Sequence, residues 1–207
     1  MFSNVSIKIL GLCIILVVLT MPVFAQEGSA TGDKKEAPVT KENPLEYIRI
    51  ETSMGNIVVE LNREKAPLSV ANILGYVDKN FYDNTIFHRI IPNFMIQAGG
   101  FTSDLVQKPA GKPIENECKN GLKNARGTIA LGRTNDLNSA TTHFYINVVD
   151  NFGLDKACYA VFGQVVEGMD VVDKIKMVKT GAKKGMRDVP VEDVVIKTIV
   201  RTEKPTE

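Results

Sequence analysis

Phe87-His88-Arg89-Ile90-Ile91-Pro92-Asn93-Phe94-Met95-Ile96-Gln97 is the stretch that decides how this chain is read. Two short apolar runs, Thr85 to Ile90 and Phe94 to Ala98, flank Pro92-Asn93, residue types that favour a turn. Successive side chains of an extended run point to opposite faces, so Met95 and Gln97 share one face and Ile96 takes the other. A turn at Pro92 that lays the two runs side by side adds Arg89 to the face of Met95 and Gln97. The result is one arginine beside large apolar side chains and an amide.

The same alternation sorts His143 to Val148. Phe144 and Ile146 share the more uniformly apolar face and are assigned to the interior. His143 and Tyr145 then belong with Met95 and Gln97 in an outer groove. Tyr47, Ile48 and Ile50, the turn candidate Met54-Gly55-Asn56, and Ile57 to Leu61 read as a β-hairpin. Pro67 suits the first turn of a helix, and Val70, Ile73, Leu74 and Val77 fall on one helical face, with Asn80 as a stop. Further short apolar runs occupy Gly127 to Leu131 and Tyr159 to Val166. Gly168 to Val178 holds a second short helix with Val171, Val172 and Ile175, and Val194 to Val200 is the closing strand. Many short strands with two helices predict a mainly β fold, an antiparallel barrel closed on itself.

The ends read differently. Lys8 precedes an apolar run from Ile9 to Leu19, Pro22 interrupts it, and Val23-Phe24-Ala25 supplies a small-residue cleavage pattern. Residues 1–25 are expected to be a signal peptide, with an uncleaved membrane anchor as the alternative. Cys13, inside the apolar run with Leu12 before it, is a poor lipidation site. Residues 26–44 are polar, without apolar periodicity, and read as a flexible linker. The domain is expected over 45–202, with a polar tail at 203–207. Cleavage leaves Cys118 and Cys158; an exported chain permits a disulfide between them, and two separate thiols stay equally open.

Lys and Arg number 25 against 24 Asp and Glu, a balance that favours neither nucleic acid nor a membrane surface as partner after cleavage. His88 and His143 are the two histidines and lack an obvious carboxylate partner, so no metal is assigned. No Gly-rich phosphate loop and no Ser/His/Asp motif appear, and no cofactor is expected. The pair Lys183-Lys184 reads as part of a solvated loop.

Several ordered blocks resemble the cyclophilin family of peptidyl-prolyl cis–trans isomerases. They are Phe87 to Gln97, Gly127-Thr128-Ile129-Ala130-Leu131, Ser139 to Ile146, and Val161 to Met169, and the likeness spans roughly Tyr47 to Arg201. The wording of the later blocks is most similar to bacterial members. The resemblance implies a closed eight-stranded antiparallel β-barrel capped by two α-helices. It implies that Arg89 is catalytic, that Phe94 and Met95 floor a proline pocket, and that Gln97 steadies the arginine. It places Gly132 and Arg133 in a loop whose backbone holds the peptide, Tyr145 where a phenylalanine commonly closes the pocket, Leu154 on the pocket wall, and Tyr159 where many members carry a histidine.

Three departures accompany the match. His143 stands where the family usually has glutamine, Tyr145 adds a hydroxyl to an apolar wall, and the chain has no tryptophan. Phe152-Gly153 lies where some members place a tryptophan that assists cyclosporin binding, so weak cyclosporin binding is expected. A neutral His143 accepting from Arg89, or binding substrate backbone, implies lower activity once it protonates below about pH 6.5.

The function expected is isomerisation of Xaa-Pro bonds in proline-containing segments by a monomer that assists folding of exported proteins. The bacterial wording of the motifs suggests a periplasm. The alternatives are a proline-segment binding module or chaperone in which turnover is incidental, and a membrane-tethered scaffold. The presence of Arg89 favours the enzyme, because binding alone does not require it.

Overall fold

The computed structural model describes residues 45–205. The expected signal peptide and the whole of the expected linker lie outside the described residues.

The chain opens with the hairpin β1 (Leu45–Thr52) and β2 (Gly55–Asn62), and helix α1 (Pro67–Val77) follows. The next strands are short: β3 (Thr85–Ile86), β4 (Arg89–Ile91), β5 (Met95–Ala98), β6 (Thr128–Leu131) and β7 (Phe144–Asn147). Then come the one-turn helix α2 (Gly153–Lys156), β8 (Val161–Glu167), α3 (Met169–Lys176), β9 (Thr180–Lys183), β10 (Met186–Pro190) and β11 (Val195–Thr202). The first hairpin turns one residue earlier than its sequence suggests. Thr52 pairs with Gly55, and the Thr52 hydroxyl both donates to the Gly55 carbonyl (2.7 Å) and accepts from the Met54 N–H (3.0 Å).

Nine strands form one antiparallel sheet in the order β3-β11-β1-β2-β8-β6-β7-β5-β4. Its two edge strands, β3 and β4, are separated in sequence by Phe87 and His88 alone. Ile86 and Arg89 are three residue steps apart, a span of at most about 11 Å, so the sheet must curl until its edges come close. The mainly β antiparallel architecture is as expected, but the strand count and the closure differ from an eight-stranded closed barrel. At the seam the backbone bonds elsewhere: Ile86 N–H donates to Phe101 O (2.9 Å) and Phe87 N–H to Val194 O (3.0 Å). The barrel is therefore joined there by covalent chain rather than by a β3–β4 ladder.

One core fills the curl. It contains Ile48, Ile50, Val59, Leu61, Ile90, Ile96, Phe144, Ile146 and Phe162, and among these Phe144 and Ile146 are the pair that strand alternation assigns to the interior. Val70, Ile73, Leu74 and Val77 of α1 and Val171, Val172 and Ile175 of α3 join the same core. Burying each large aliphatic side chain contributes ~1.5–3 kcal/mol. Gly163 permits the close approach of β8 to β2: a Cβ there would run into the Glu60 carbonyl oxygen.

Two features escape alternation patterns. Lys183-Lys184 does not lie in a plain loop: β9 and β10 form a separate two-stranded ribbon, turning at Lys184 (φ 50°) and Gly185 (φ 81°). Positive φ at both central residues matches the right-handed twist of the flanking strands. Cys118 and Cys158 are joined in a disulfide across 40 residues, with Cα atoms 5.1 Å apart.

Residue Glu117, beside that disulfide, caps α1 from a distance. Ala66 at the helix start has no capping side chain, and the Glu117 carboxylate instead accepts from Leu68 N–H (2.9 Å), Ser69 N–H (2.7 Å) and Ser69 Oγ (2.6 Å). Those amides have no intrahelical partner, and the negative charge complements the helix dipole. Glu117→Ala is expected to lower stability by about 0.5–2 kcal/mol in denaturant unfolding. An unchanged midpoint would show that water replaces the carboxylate without loss.

Candidate active site

Strand register carries one row of residues across the outer face of the sheet. Arg89 pairs with Gln97, Gln97 with Tyr145, Tyr145 with Ala130, and Ala130 with Val161. Met95, Ala130, Tyr145 and Val161 form a second apolar cluster, separate from the core, with Phe94, Leu154 and Tyr159 packed against it. Phe94 is fixed by the turn between β4 and β5: its N–H donates to Ile91 O, and its carbonyl accepts from Val148 N–H and from Asn151 Nδ2.

Above this cluster lies a pocket of about 120 Å³ lined by Arg89, Phe94, Met95, Gln97, Gly132, Arg133, Tyr145, Leu154 and Tyr159. That room suits a single small ring, well below the roughly 300–1,000 Å³ of sites for drug-sized ligands. Leu154 enters from α2, whose single turn the sequence reading did not assign. Arg133 lays its guanidinium over the Tyr159 ring, 4.4 Å from the centroid. It also donates to the carbonyls of Thr134, Ala157 and Cys158. The side chain of Arg133 therefore stiffens the rim on which Tyr159 sits. The Gly132 N–H is already engaged with His143 O at 2.8 Å.

Tyr145 resolves the puzzle of a hydroxyl in an apolar wall. Its ring faces the pocket while its O–H donates to Asn124 Oδ1 (2.8 Å) beneath it. Asn124 is fully buried, accepts also from Asn147 Nδ2 (3.1 Å), and donates to Asp155 Oδ1 (2.9 Å). Asn147 further donates to Thr128 Oγ1 and accepts from Asn151 Nδ2. Every link is satisfied, so the network fixes the wall rather than destabilising it. Burial pushes the Tyr145 phenol well up, with Tyr159 and Asp155 adding to it, so it stays protonated. Sequence reasoning missed Asn124, Asn147 and Asp155. Asn147 had a signal, since it shares the face of Tyr145 two positions on; the other two are isolated polar residues in loop and helix.

Two expected roles change. Gln97 stands opposite Arg89, yet its amide Nε2 lies over Gly132, where a Cβ would be 3.1 Å away, and it makes no hydrogen bond to Arg89. The ion pair that Arg89 makes among the described residues is with Asp188, Nε to Oδ2 at 3.6 Å. His143 does not line the pocket. Its ring stacks edgewise on His88 (5.2 Å) and Phe101 (5.6 Å), and its Nε2 meets Gln107 Nε2 at 3.1 Å. Position 143 immediately precedes β7 and packs so closely against Gly99 and Gly132 that no Cβ fits at either glycine. Among the described residues no cluster of three or more His, Cys, Asp or Glu side chains is placed to hold a metal ion.

The family model described as "Cyclophilin type peptidyl-prolyl cis-trans isomerase/CLD" matches residues 47–201. The chain belongs to the cyclophilin family. It is 53% identical over 161 residues to a peptidyl-prolyl cis-trans isomerase, cyp18, of Streptomyces antibioticus, covering 74% of this chain and 97% of that one. It is 43% identical over 191 residues to peptidyl-prolyl cis-trans isomerase A of Dickeya dadantii, covering 90% of this chain and 94% of that one. A Cryptosporidium parvum cyclophilin type peptidyl-prolyl cis-trans isomerase, crystallised in the presence of the dipeptide Ala-Pro, superposes with a TM-score of 0.68 at 25% identity. That superposition covers 76% of this chain and 99% of the other.

In this cyclophilin both histidines favour the neutral state. Burial, then the nearby His143 and Arg89, lower His88 to about 3, and burial also lowers His143. The acid effect expected of a groove-lining His143 is therefore displaced to lower pH and away from the pocket. Its consequence is for stability instead. The unfolded state, with histidine near 6.5, binds protons that the folded state refuses. Stability contributed by His88 is fully present above about pH 6.5 and falls steadily as pH drops towards about 3. Unfolding midpoints measured across that window are expected to decline on acidification, with a shallower slope in His88→Gln. Equal slopes in the two proteins would contradict the assignment.

Proposed function

We propose that this chain catalyses cis–trans rotation about Xaa-Pro peptide bonds, with Arg89 as the catalytic residue. The observation that carries the reading is Arg89 lining the same small pocket as Phe94, Met95, Tyr145 and Leu154. Peptide bonds resist rotation because the nitrogen lone pair is delocalised into the carbonyl, with a barrier of ~18–20 kcal/mol. Without a catalyst a prolyl bond isomerises in roughly 10–100 s. As the bond twists, the lone pair localises on nitrogen, which becomes a better hydrogen-bond acceptor. A fixed cationic donor facing that nitrogen interacts more strongly with the twisted than with the planar amide, which is the condition for catalysis. A ~10⁵-fold acceleration needs about 7 kcal/mol. The apolar pocket holds the ring, excludes water and strengthens the guanidinium's field.

Proline-containing segments of unfolded or folding proteins are the proposed substrates. Export and a role in folding exported, periplasmic proteins rest on the leader pattern of residues 1–25. The alignment with the Dickeya relative, at 90% of this chain, also extends ahead of Leu45. We further propose that the protein is a monomer and binds cyclosporin weakly. The second is supported by Phe152, which is 52% exposed and absent from the pocket lining.

Residues 26–207 are expected to accelerate isomerisation of an Ala-Ala-Pro-Phe peptide, measured by line-shape or exchange NMR. Arg89→Ala is expected to lower kcat/KM by about 10²–10³-fold with peptide affinity changed only a few-fold. Binding without turnover in the unsubstituted protein would instead indicate a proline-binding module.

A further inference from the structure

We propose that Asp188 is the positioning residue for Arg89, and that the β9–β10 ribbon exists at this site to deliver its carboxylate; the proposal rests on the isomerase reading above. The Asp188 Oδ2 atom lies 3.6 Å from Arg89 Nε, and the two side chains are 42% and 41% exposed. That separation is too long for a direct hydrogen bond, but it places a negative charge on the Nε edge of the guanidinium. No other protein group among the described residues bonds that guanidinium, so its two terminal NH₂ groups stay free for substrate.

The ribbon's geometry serves this contact. Register shifts between Met186 and Val189, so Asp188 sits at a bulge, and its backbone is left-handed at φ 61°. A bulge re-aims a side chain out of the ladder, and aspartate is one of the few residue types that adopts this left-handed backbone. The ribbon is tied to the body of the domain at several points. Val189 is buried, Lys183 Nζ donates to Ser103 O (3.2 Å), and Lys184 Nζ donates to Asp104 O (2.7 Å). Lys183 also pairs with Asp193 at 3.6 Å. An ion pair as exposed as Arg89–Asp188 adds little to stability. Its consequence is orientation: a long, flexible side chain on an edge strand gains a preferred direction, and preorganisation of a charged donor is what electrostatic catalysis requires.

Asp188→Asn tests this without disturbing the ribbon, because asparagine accepts left-handed backbone readily. The expected result is a loss of about three- to fivefold in kcat, with peptide affinity within about twofold and an unaltered melting temperature. In an Arg89→Lys background, which lacks the Nε edge, Asp188→Asn is expected to cause no further loss. An unchanged kcat in the otherwise native protein, or the same proportional loss in both backgrounds, would overturn the proposal. Turnover absent from the unsubstituted protein would overturn the isomerase reading itself, a result distinct from an Asp188 variant as active as its parent.

Discussion

Register between β5 and β7 is the constraint on which the site depends. Gln97 opposite Tyr145, and Ile96 opposite Ile146, put the outer row over the pocket and the inner row into the core at once. A slip of one residue would exchange the two faces, turning Phe144 and Ile146 outward and burying Tyr145 and Gln97. The core forbids that, because Ile96, Phe144 and Ile146 pack with helices α1 and α3 in one closed cluster. Stability and function thus share a single pairing: the burial that fixes the inner residues also fixes where the outer ones stand.

Much of this was legible because it follows from period two. Met95, Gln97 and Tyr145 on one face, and Ile96, Phe144 and Ile146 on the other, could be assigned from alternation alone. Pro67 with Val70, Ile73, Leu74 and Val77 was readable as α1 for the matching reason at helical period. The family likeness then supplied roles for Arg89, Leu154, Arg133 and Tyr159, positions that no local pattern distinguishes. His143 shows where alternation stops being enough. It stands one residue before β7, close against Gly99 and Gly132, and its ring packs on His88 and Phe101 rather than lining the pocket.

What remained hidden was long-range. Glu117 capping α1 across 48 residues, Asn124 under Tyr145, and the Cys118–Cys158 bridge depend on loops whose paths no periodicity fixes. The β9–β10 ribbon was hidden for another reason. Its strands are short and largely exposed, and Lys183-Lys184 reads as solvated loop even though the chain turns a hairpin at Lys184-Gly185. The seam of the barrel is similar. The resemblance implied an eight-stranded closed count, whereas the observed edges end at two- and three-residue strands, and beside the seam Ile86 and Phe87 donate to Phe101 and Val194 rather than to β4.

The central claim is that a proline ring occupies the outer pocket with Arg89 facing its imide nitrogen. The most direct test is a crystal structure of residues 26–207 with an Ala-Pro peptide at saturating concentration. The account predicts the ring seated among Phe94, Met95, Tyr145 and Leu154, with the Arg89 guanidinium within hydrogen-bond reach of the Ala-Pro linkage. A ring bound elsewhere on the sheet, or seated in the pocket with Arg89 turned out to solvent, would contradict it.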